Sequence, residues 1–122
     1  MGKFLTMARM MLGLGPADTS AEISPQEAFQ RLKGHKTIQL VDVRSSEEYR
    51  QIRIGGSKLI PLHELESRLR EIDKMKPVLL YCQSGNRSRM ALGLLKGKGF
   101  KQAAHMVGGM TAWNLNGLPV EN

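Results

Sequence analysis

A chain of 122 residues is the length of one ordinary domain, long enough to bury a sizeable core and too short for two independent ones. With 41% hydrophobic and 24% charged residues it is too apolar for general disorder and too evenly mixed for a membrane protein, which leaves a compact enzyme or binding module. Eighteen Lys and Arg against eleven Asp and Glu give a net charge of +7, which draws anions, acidic partners or nucleic acid without choosing among them. The single cysteine, Cys82, can make neither an internal disulfide nor a Cys-rich zinc site, so its thiol is either an inert core residue or a reactive one.

Residues 1–20 read as a Met-rich extension ahead of a domain spanning 21–122. The most apolar run, Phe4 to Leu14, is interrupted by Arg9 and stops at Gly15-Pro16. It predicts no membrane span and no secretory signal, which makes the cytoplasm the expected compartment. Met1, Met7, Met10 and Met11, beside Phe4, Leu5, Leu12 and Leu14, form an adaptable, sticky surface. A frayed or self-packed extension is the preferred reading, ahead of a helix that docks on a partner or attaches peripherally to a membrane through residues 1–14. The opening Met1-Gly2-Lys3-Phe4-Leu5-Thr6 fits the loose N-myristoylation pattern and is read as a chance match.

The first helix signal is Ser24-Pro25-Gln26-Glu27, with Ser at the N-cap, Pro at the first helical position and Glu at the third, followed by the apolar Ala28, Phe29 and Leu32. Lys33-Gly34 stops it. Ile38 to Val43 is apolar and β-branched, the pattern of a buried parallel strand, and a second helix follows near Glu47. Leu62, Leu65, Leu69 and Ile72 recur at spacings of three and four, predicting one amphipathic helix from Leu62 to Lys74. Pro77 opens a second apolar strand, Val78 to Tyr81, which runs into Cys82, a polar loop and a helix from Ser88 to Lys98 ended by Gly97 and Gly99. A strand from Ala103 to Val107 then leads through Gly108-Gly109 to a short last helix carrying Trp113. Alternating strands and helices predict an α/β domain with a parallel sheet of about five strands.

In such sheets ligands sit beyond the carboxyl ends of the strands, and Cys82 stands at that position. The run Cys82-Gln83-Ser84-Gly85-Asn86-Arg87-Ser88 joins a nucleophile to a Gly-containing loop and a helix N-terminus. Gly85 allows successive N–H groups to turn inward as an anion-binding nest, and the helix N-terminus with Arg87 lowers the thiol pKa. Ser88 is expected to cap the helix or to donate a hydrogen bond to the anion.

These residues, taken with their neighbours from about Ala21 to Glu121, resemble the single-domain rhodaneses, the sulfurtransferase family. The markers are Asp42-Val43-Arg44, Glu47-Glu48-Tyr49, the segment Arg53-Ile54-Gly55-Gly56-Ser57-Lys58-Leu59-Ile60-Pro61, the Cys82 loop, and the closing Gly108-Gly109-Met110-Thr111-Ala112-Trp113. Arg53 replaces the His that usually begins the middle segment, and Gly55 and Ser57 replace Pro and Ala; these departures touch the rim of the site rather than its nucleophile. The resemblance implies a rhodanese-type three-layer fold and a sulfane-sulfur relay in which Cys82 carries a persulfide from thiosulfate, or from a protein or small-molecule persulfide, to cyanide or a thiol. It implies a cradle formed by Gln83, Ser84, Gly85, Asn86, Arg87 and Ser88, supported by Asp42 and Arg44, with Cys82 as the catalytic residue and no organic cofactor. A sulfur-donor or acceptor protein is an expected partner.

Two rival readings stand beside it. The Cys82-to-Arg87 loop has C-x4-R spacing, one residue shorter than that of the related phosphatases and arsenate reductases, which favours a single sulfur atom over a tetrahedral oxyanion. A non-catalytic sulfur-carrier or interaction module is the other rival. Tyr81 and Trp113 read as core aromatics, and Asp42 as a salt-bridge residue supporting Arg44 or Arg87. His35, His63 and His105 lack metal-ligand spacing, so solvated or packed roles are expected and no metal is predicted. Nucleic-acid binding is not expected, because the basic residues are spread along the chain and six aromatics offer little stacking.

Overall fold

The computed structural model describes residues 21–122; the expectations for the Met-rich extension lie outside the described residues. In chain order the elements are β1 (Glu22–Ile23), α1 (Pro25–Gly34), β2 (Gln39–Asp42), α2 (Ser46–Gln51), β3 (Lys58–Leu59) and α3 (Leu62–Leu65) with a following 3-10 turn (Glu66–Glu71). They continue with β4 (Val78–Tyr81), α4 (Asn86–Gly97), β5 (Ala103–Met106) and α5 (Gly109–Leu115). The five strands form one sheet in the order β1-β5-β4-β2-β3, every pair parallel. The expected α/β class and strand number are therefore the observed ones.

Local chemistry explains where the helices begin. Ser24 caps α1, its hydroxyl accepting from the Glu27 N–H at 3.1 Å. Ser45 and Glu48 form a reciprocal capping box at the start of α2. β4 and β5 are buried at every position, as strands covered on both faces must be, and their alternating side chains feed two separate cores. On one face Val41, Leu80, Cys82, Ala91, Leu95 and Phe100 pack together under α4 and α3. On the other, Leu40, Leu79, Met106, Met110 and Trp113 pack under α1 and α5, with Phe29 meeting Trp113 edge-on at 6.0 Å. Tyr81 and Trp113 are core aromatics, as expected.

The expected helix from Leu62 to Lys74 is not continuous. After α3 the chain tightens into the 3-10 turn, Arg68 leaves helical geometry at φ −117°, ψ 19°, and Ile72 is extended. The end of the turn is fixed from the neighbouring strand. The Gln39 side-chain amide takes both backbone groups of Asp73, accepting from its N–H at 2.8 Å and donating to its carbonyl at 2.9 Å, so Asp73 is unavailable to a helical ladder. Arg68 clamps the turn by bonding Glu64 and Glu71.

The start of α5 lies directly against the residues that follow β4. Met110 N–H donates to the Cys82 carbonyl at 2.9 Å and Thr111 N–H to the Gln83 carbonyl at 3.1 Å. Gly109, at φ +57°, lies so close that a Cβ there would collide with both carbonyls. Gly109→Ala is therefore expected to cost on the order of 3 kcal/mol through a strained backbone conformation and a backbone clash together. Urea denaturation checks this; a loss below about 0.5 kcal/mol, the size of an ordinary surface change, would contradict the close approach.

Candidate active site

β4 delivers Cys82 to the carboxyl edge of the sheet between the ends of β2 and β5, where parallel strands leave room for a ligand. The side chain is fully buried. Gly85 follows at φ 104°, a conformation costly for other residues, and acts as the N-cap of α4. That turn aims two donors at one atom, the Gly85 N–H 3.1 Å and the Ser88 N–H 3.3 Å from Sγ, while the thiol itself donates to Ser88 Oγ at 3.5 Å. Burial alone pushes the thiol up, yet the Ser88 hydroxyl and the N–H groups of Ser88, Gly85 and Ser84 outweigh it, leaving the pKa below its ordinary value.

Ser88 does not cap α4, which starts two residues earlier than expected. As the third residue of the helix it is wholly buried and points inward, within 3.2 Å of the Gly85 carbonyl and 2.8 Å of His105 Nδ1. Nor does Arg87 bond the sulfur. Its guanidinium turns outward and grips Glu48 at 2.7 and 2.9 Å, joining the loop to α2. Arg87 is thus an ion-pair fastener that holds the shape of the loop rather than a hydrogen-bond partner of the sulfur.

The remaining expected residues hold the loop from its far side. Asp42 and Arg44 form a buried pair, with Arg44 Nε 3.0 Å from both carboxylate oxygens and Nη2 2.7 Å from one of them. Arg44 then donates to Gln83 Oε1 at 3.1 Å and to the Ile52 carbonyl at 2.6 Å. Gln83 donates in turn to Thr111 Oγ1 at 3.2 Å, so its side chain braces α5 rather than facing the sulfur. Ser84 and Asn86 are exposed at the loop tip. Of the expected cradle, then, the loop from Ser84 to Gly85 and Ser88 surround Sγ, whereas Gln83 and Arg87 are scaffold contacts.

Arg53 lies over the Tyr49 ring at 4.9 Å and pairs its backbone with Glu121, and Ser57 Oγ accepts from the Tyr81 hydroxyl at 3.0 Å, so these two of the three departures from the family pattern do structural work away from Sγ. Among the described residues no group of His, Cys, Asp and Glu is arranged to hold a metal, and no helix is long and apolar enough to cross a membrane. Two side chains at the site escaped the sequence reading. Glu48 was visible in the acidic marker but not as the Arg87 partner. His105 was set aside for lack of metal spacing, although strand parity carried the signal: it pairs with Leu80, two residues before Cys82, and so faces the same side of the sheet.

A parallel sheet with a buried thiol facing loop N–H groups at a strand end, followed by a helix, defines an α/β domain built around that cysteine. The Rhodanese-like domain family model matches residues 24–116, and the chain belongs to that family. It is 35% identical over 99 residues to a sulfurtransferase of Allochromatium vinosum, covering 81% of this chain and 92% of that protein. It is 36% identical over 97 residues to Bacillus subtilis YrkF, a candidate sulfur carrier protein, covering 80% of this chain and 52% of the relative; the chain thus spans about half of that protein's length. The crystal structure of a rhodanese-like domain protein from Staphylococcus aureus superposes with a TM-score of 0.73 at 32% identity, over 83% of this chain and 98% of that one.

The Glu48 pair sets an acid limit on the site. The Arg87 guanidinium, foremost, and the Ser45 contacts hold the Glu48 carboxyl at about 2, below its ordinary 4.5. Unfolding restores the ordinary value. The stabilisation is thus complete above about pH 4.5 and fades as pH falls toward 2, because the unfolded chain takes up a proton that the folded one refuses. Glu71, also held at about 2 by Arg68 and Lys58, loses its contribution over the same interval. Glu48→Gln is expected to shrink the fall in Tm between pH 5 and pH 2.5 by about 3 °C. An undiminished fall would remove the pair from the acid response.

Proposed function

We propose that the protein is a sulfurtransferase that carries sulfane sulfur as a Cys82 persulfide. The observation that carries the reading is the buried sulfur facing two backbone N–H groups and a hydroxyl, a setting that favours an anion of one or two sulfur atoms. The names of the relatives, a sulfurtransferase and a candidate sulfur carrier, support it.

In the first half-reaction the Cys82 thiolate attacks the outer sulfur of thiosulfate. An S–S bond forms at Sγ, the S–S bond of thiosulfate breaks with its electron pair going to sulfite, and the charge of −3 is conserved. In the second, cyanide or a thiolate attacks the terminal persulfide sulfur, giving thiocyanate or a new persulfide and returning the Cys82 thiolate. This is a covalent, two-step route, and it requires no organic cofactor. The Gly85 and Ser88 backbone N–H groups, fixed before reaction, stabilise both the thiolate and the persulfide without reorganising. An open cavity of about 340 Å³ lined by Ser45, Pro61, His63, Arg44 and Arg87 lies beside the loop and suits a small anionic donor or the persulfide of a partner protein. A chain with one free thiol and this chemistry suits the reducing cytoplasm.

A phosphatase or arsenate reductase is the less favoured reading. Six residues from Cys82 to Arg87 make the shorter loop, and the arginine that such enzymes need on their oxyanion is here committed to Glu48.

Intact mass after incubation with thiosulfate tests the proposal. The expected result is a gain of one sulfur, about 32 Da, that is lost on adding cyanide and absent in Cys82→Ser, as an activated thiolate nucleophile requires. A folded wild type that gains no sulfur from thiosulfate or from glutathione persulfide, or a Cys82→Ser variant that still transfers it, would overturn the reading.

A further inference from the structure

A buried thiol that becomes a thiolate must pass its proton to a partner. Among the described residues the one side-chain hydroxyl bonded to Sγ is that of Ser88, at 3.5 Å. Ser88 Oγ lies 2.8 Å from His105 Nδ1, and His105 Nε2 lies 3.2 Å from Glu22 Oε2. The imidazole is fully buried, whereas the Glu22 side chain is 46% exposed. Thiol, hydroxyl, imidazole and carboxylate therefore stand in file from the interior to the surface at β1, away from the cavity beside Arg87. The titratable and charged groups around the ring are Cys82 beyond β4, Glu22 on β1, and Arg89 on α4, which reaches the same Glu22 oxygen at 3.8 Å.

We propose that His105 is a positioning residue for Cys82, taking up the thiol proton through Ser88 and turning the Ser88 hydroxyl toward the thiolate, with Glu22 holding the imidazolium. The proposal rests on the reading of Cys82 as a reacting thiolate.

Hydrogen-bond capacity at Ser88 forces the coupling. Its hydroxyl has one proton and three neighbours able to accept it: Sγ, Nδ1 and the Gly85 carbonyl at 3.2 Å. The Glu22 carboxylate selects the tautomer with the proton on Nε2, which leaves Nδ1 as an acceptor that claims the Ser88 proton. In that state the thiol S–H donates to Ser88 Oγ. On ionisation the thiol proton moves to Ser88 Oγ while the Ser88 proton moves to Nδ1. Thiolate and imidazolium form together, the proton count is unchanged, and the unit made of Cys82, His105 and Glu22 keeps its net charge of −1. Nδ1 now donates to Ser88 Oγ, so the hydroxyl is free to donate to the sulfur. A ring that served only to fill the core would give Ser88 a fixed partner and would not respond to the charge on the sulfur.

The test reads the proton positions by NMR in the reduced protein between pH 5 and 9.5, following the His105 ring nitrogens and the Cys82 13Cβ. Where the Cys82 13Cβ reads thiolate, the His105 nitrogens are expected to read a protonated ring, and blocking Cys82 as its methyl disulfide is expected to return the ring at the same pH to the neutral form with its proton on Nε2. His105→Gln, which still bonds Ser88 but takes up no proton, is expected to raise the Cys82 midpoint by about one pH unit, and Glu22→Gln to raise it by about half as much. His105 shifts that ignore the block, or a folded His105→Gln variant with an unmoved Cys82 midpoint, would overturn the proposal. No sulfur donor is present in either experiment, so failure here leaves sulfur transfer standing, and failure of sulfur transfer leaves these titrations to be read on their own.

Discussion

A sulfur anion buried in a protein must be surrounded by donors, because burial by itself drives the thiol toward its neutral form. Most of the features around Cys82 follow from that requirement. The left-handed turn at Gly85 exists to bring its own N–H and that of Ser88 to within 3.1 and 3.3 Å of one atom. Gly109 gives up its side chain so that α5 can bond the Cys82 and Gln83 carbonyls and hold the loop closed from behind. Both nearby arginines are neutralised by carboxylates, Arg87 by Glu48 and Arg44 by Asp42. The backbone N–H groups on the sulfur are thus fixed dipoles, and these two arginines serve as fasteners for the loop. Such preorganised dipoles need no rearrangement when charge appears.

Strand parity divides this edge of the sheet into two roles. Leu80, Cys82 and His105 share one face, with Ser88 above them on α4. Asp42 and Tyr81, paired in register, occupy the other, where Arg44 lies 5.6 Å from the Tyr81 ring and Tyr81 reaches Ser57 and the Ile54 N–H. The first face holds the groups that can exchange protons with the sulfur. The second is a rigid frame in which a buried ion pair is satisfied on nearly every side, the condition under which such a pair is tolerated.

Much of this was legible in the residues. Apolar runs at 38–43 and 78–81, separated by capped helical segments, allow little besides a parallel sheet, and Cys82 directly after a buried strand and before Gly85 marks its own position. What was not legible depended on partners distant in the chain. Leu62, Leu65, Leu69 and Ile72 keep helical spacing, yet Gln39, over thirty residues earlier, captures the Asp73 backbone and ends the helix. From its place in the loop Arg87 reads equally as a scaffold ion pair or as a charge for the site, because nothing local reveals that α2 presents Glu48 to it. Ser88 has the composition of a cap, but Gly85 already begins α4, which frees the hydroxyl to face inward. His105 was overlooked because its meaning comes from pairing with Leu80 and from the reach of Glu22, both products of topology.

The fold holds the buried Cys82 thiol below its ordinary pKa by hydrogen bonding. Thiolate absorbance at 240 nm, followed from pH 5 to 10 in folded and in urea-unfolded protein and corrected with Cys82→Ser, tests it most directly. The folded protein is expected to show a midpoint below that of the unfolded chain, because the Ser88 hydroxyl and the loop N–H groups outweigh desolvation. A folded midpoint equal to or above the unfolded one would mean that desolvation wins over the loop donors and that the cradle does not hold the sulfur as an anion.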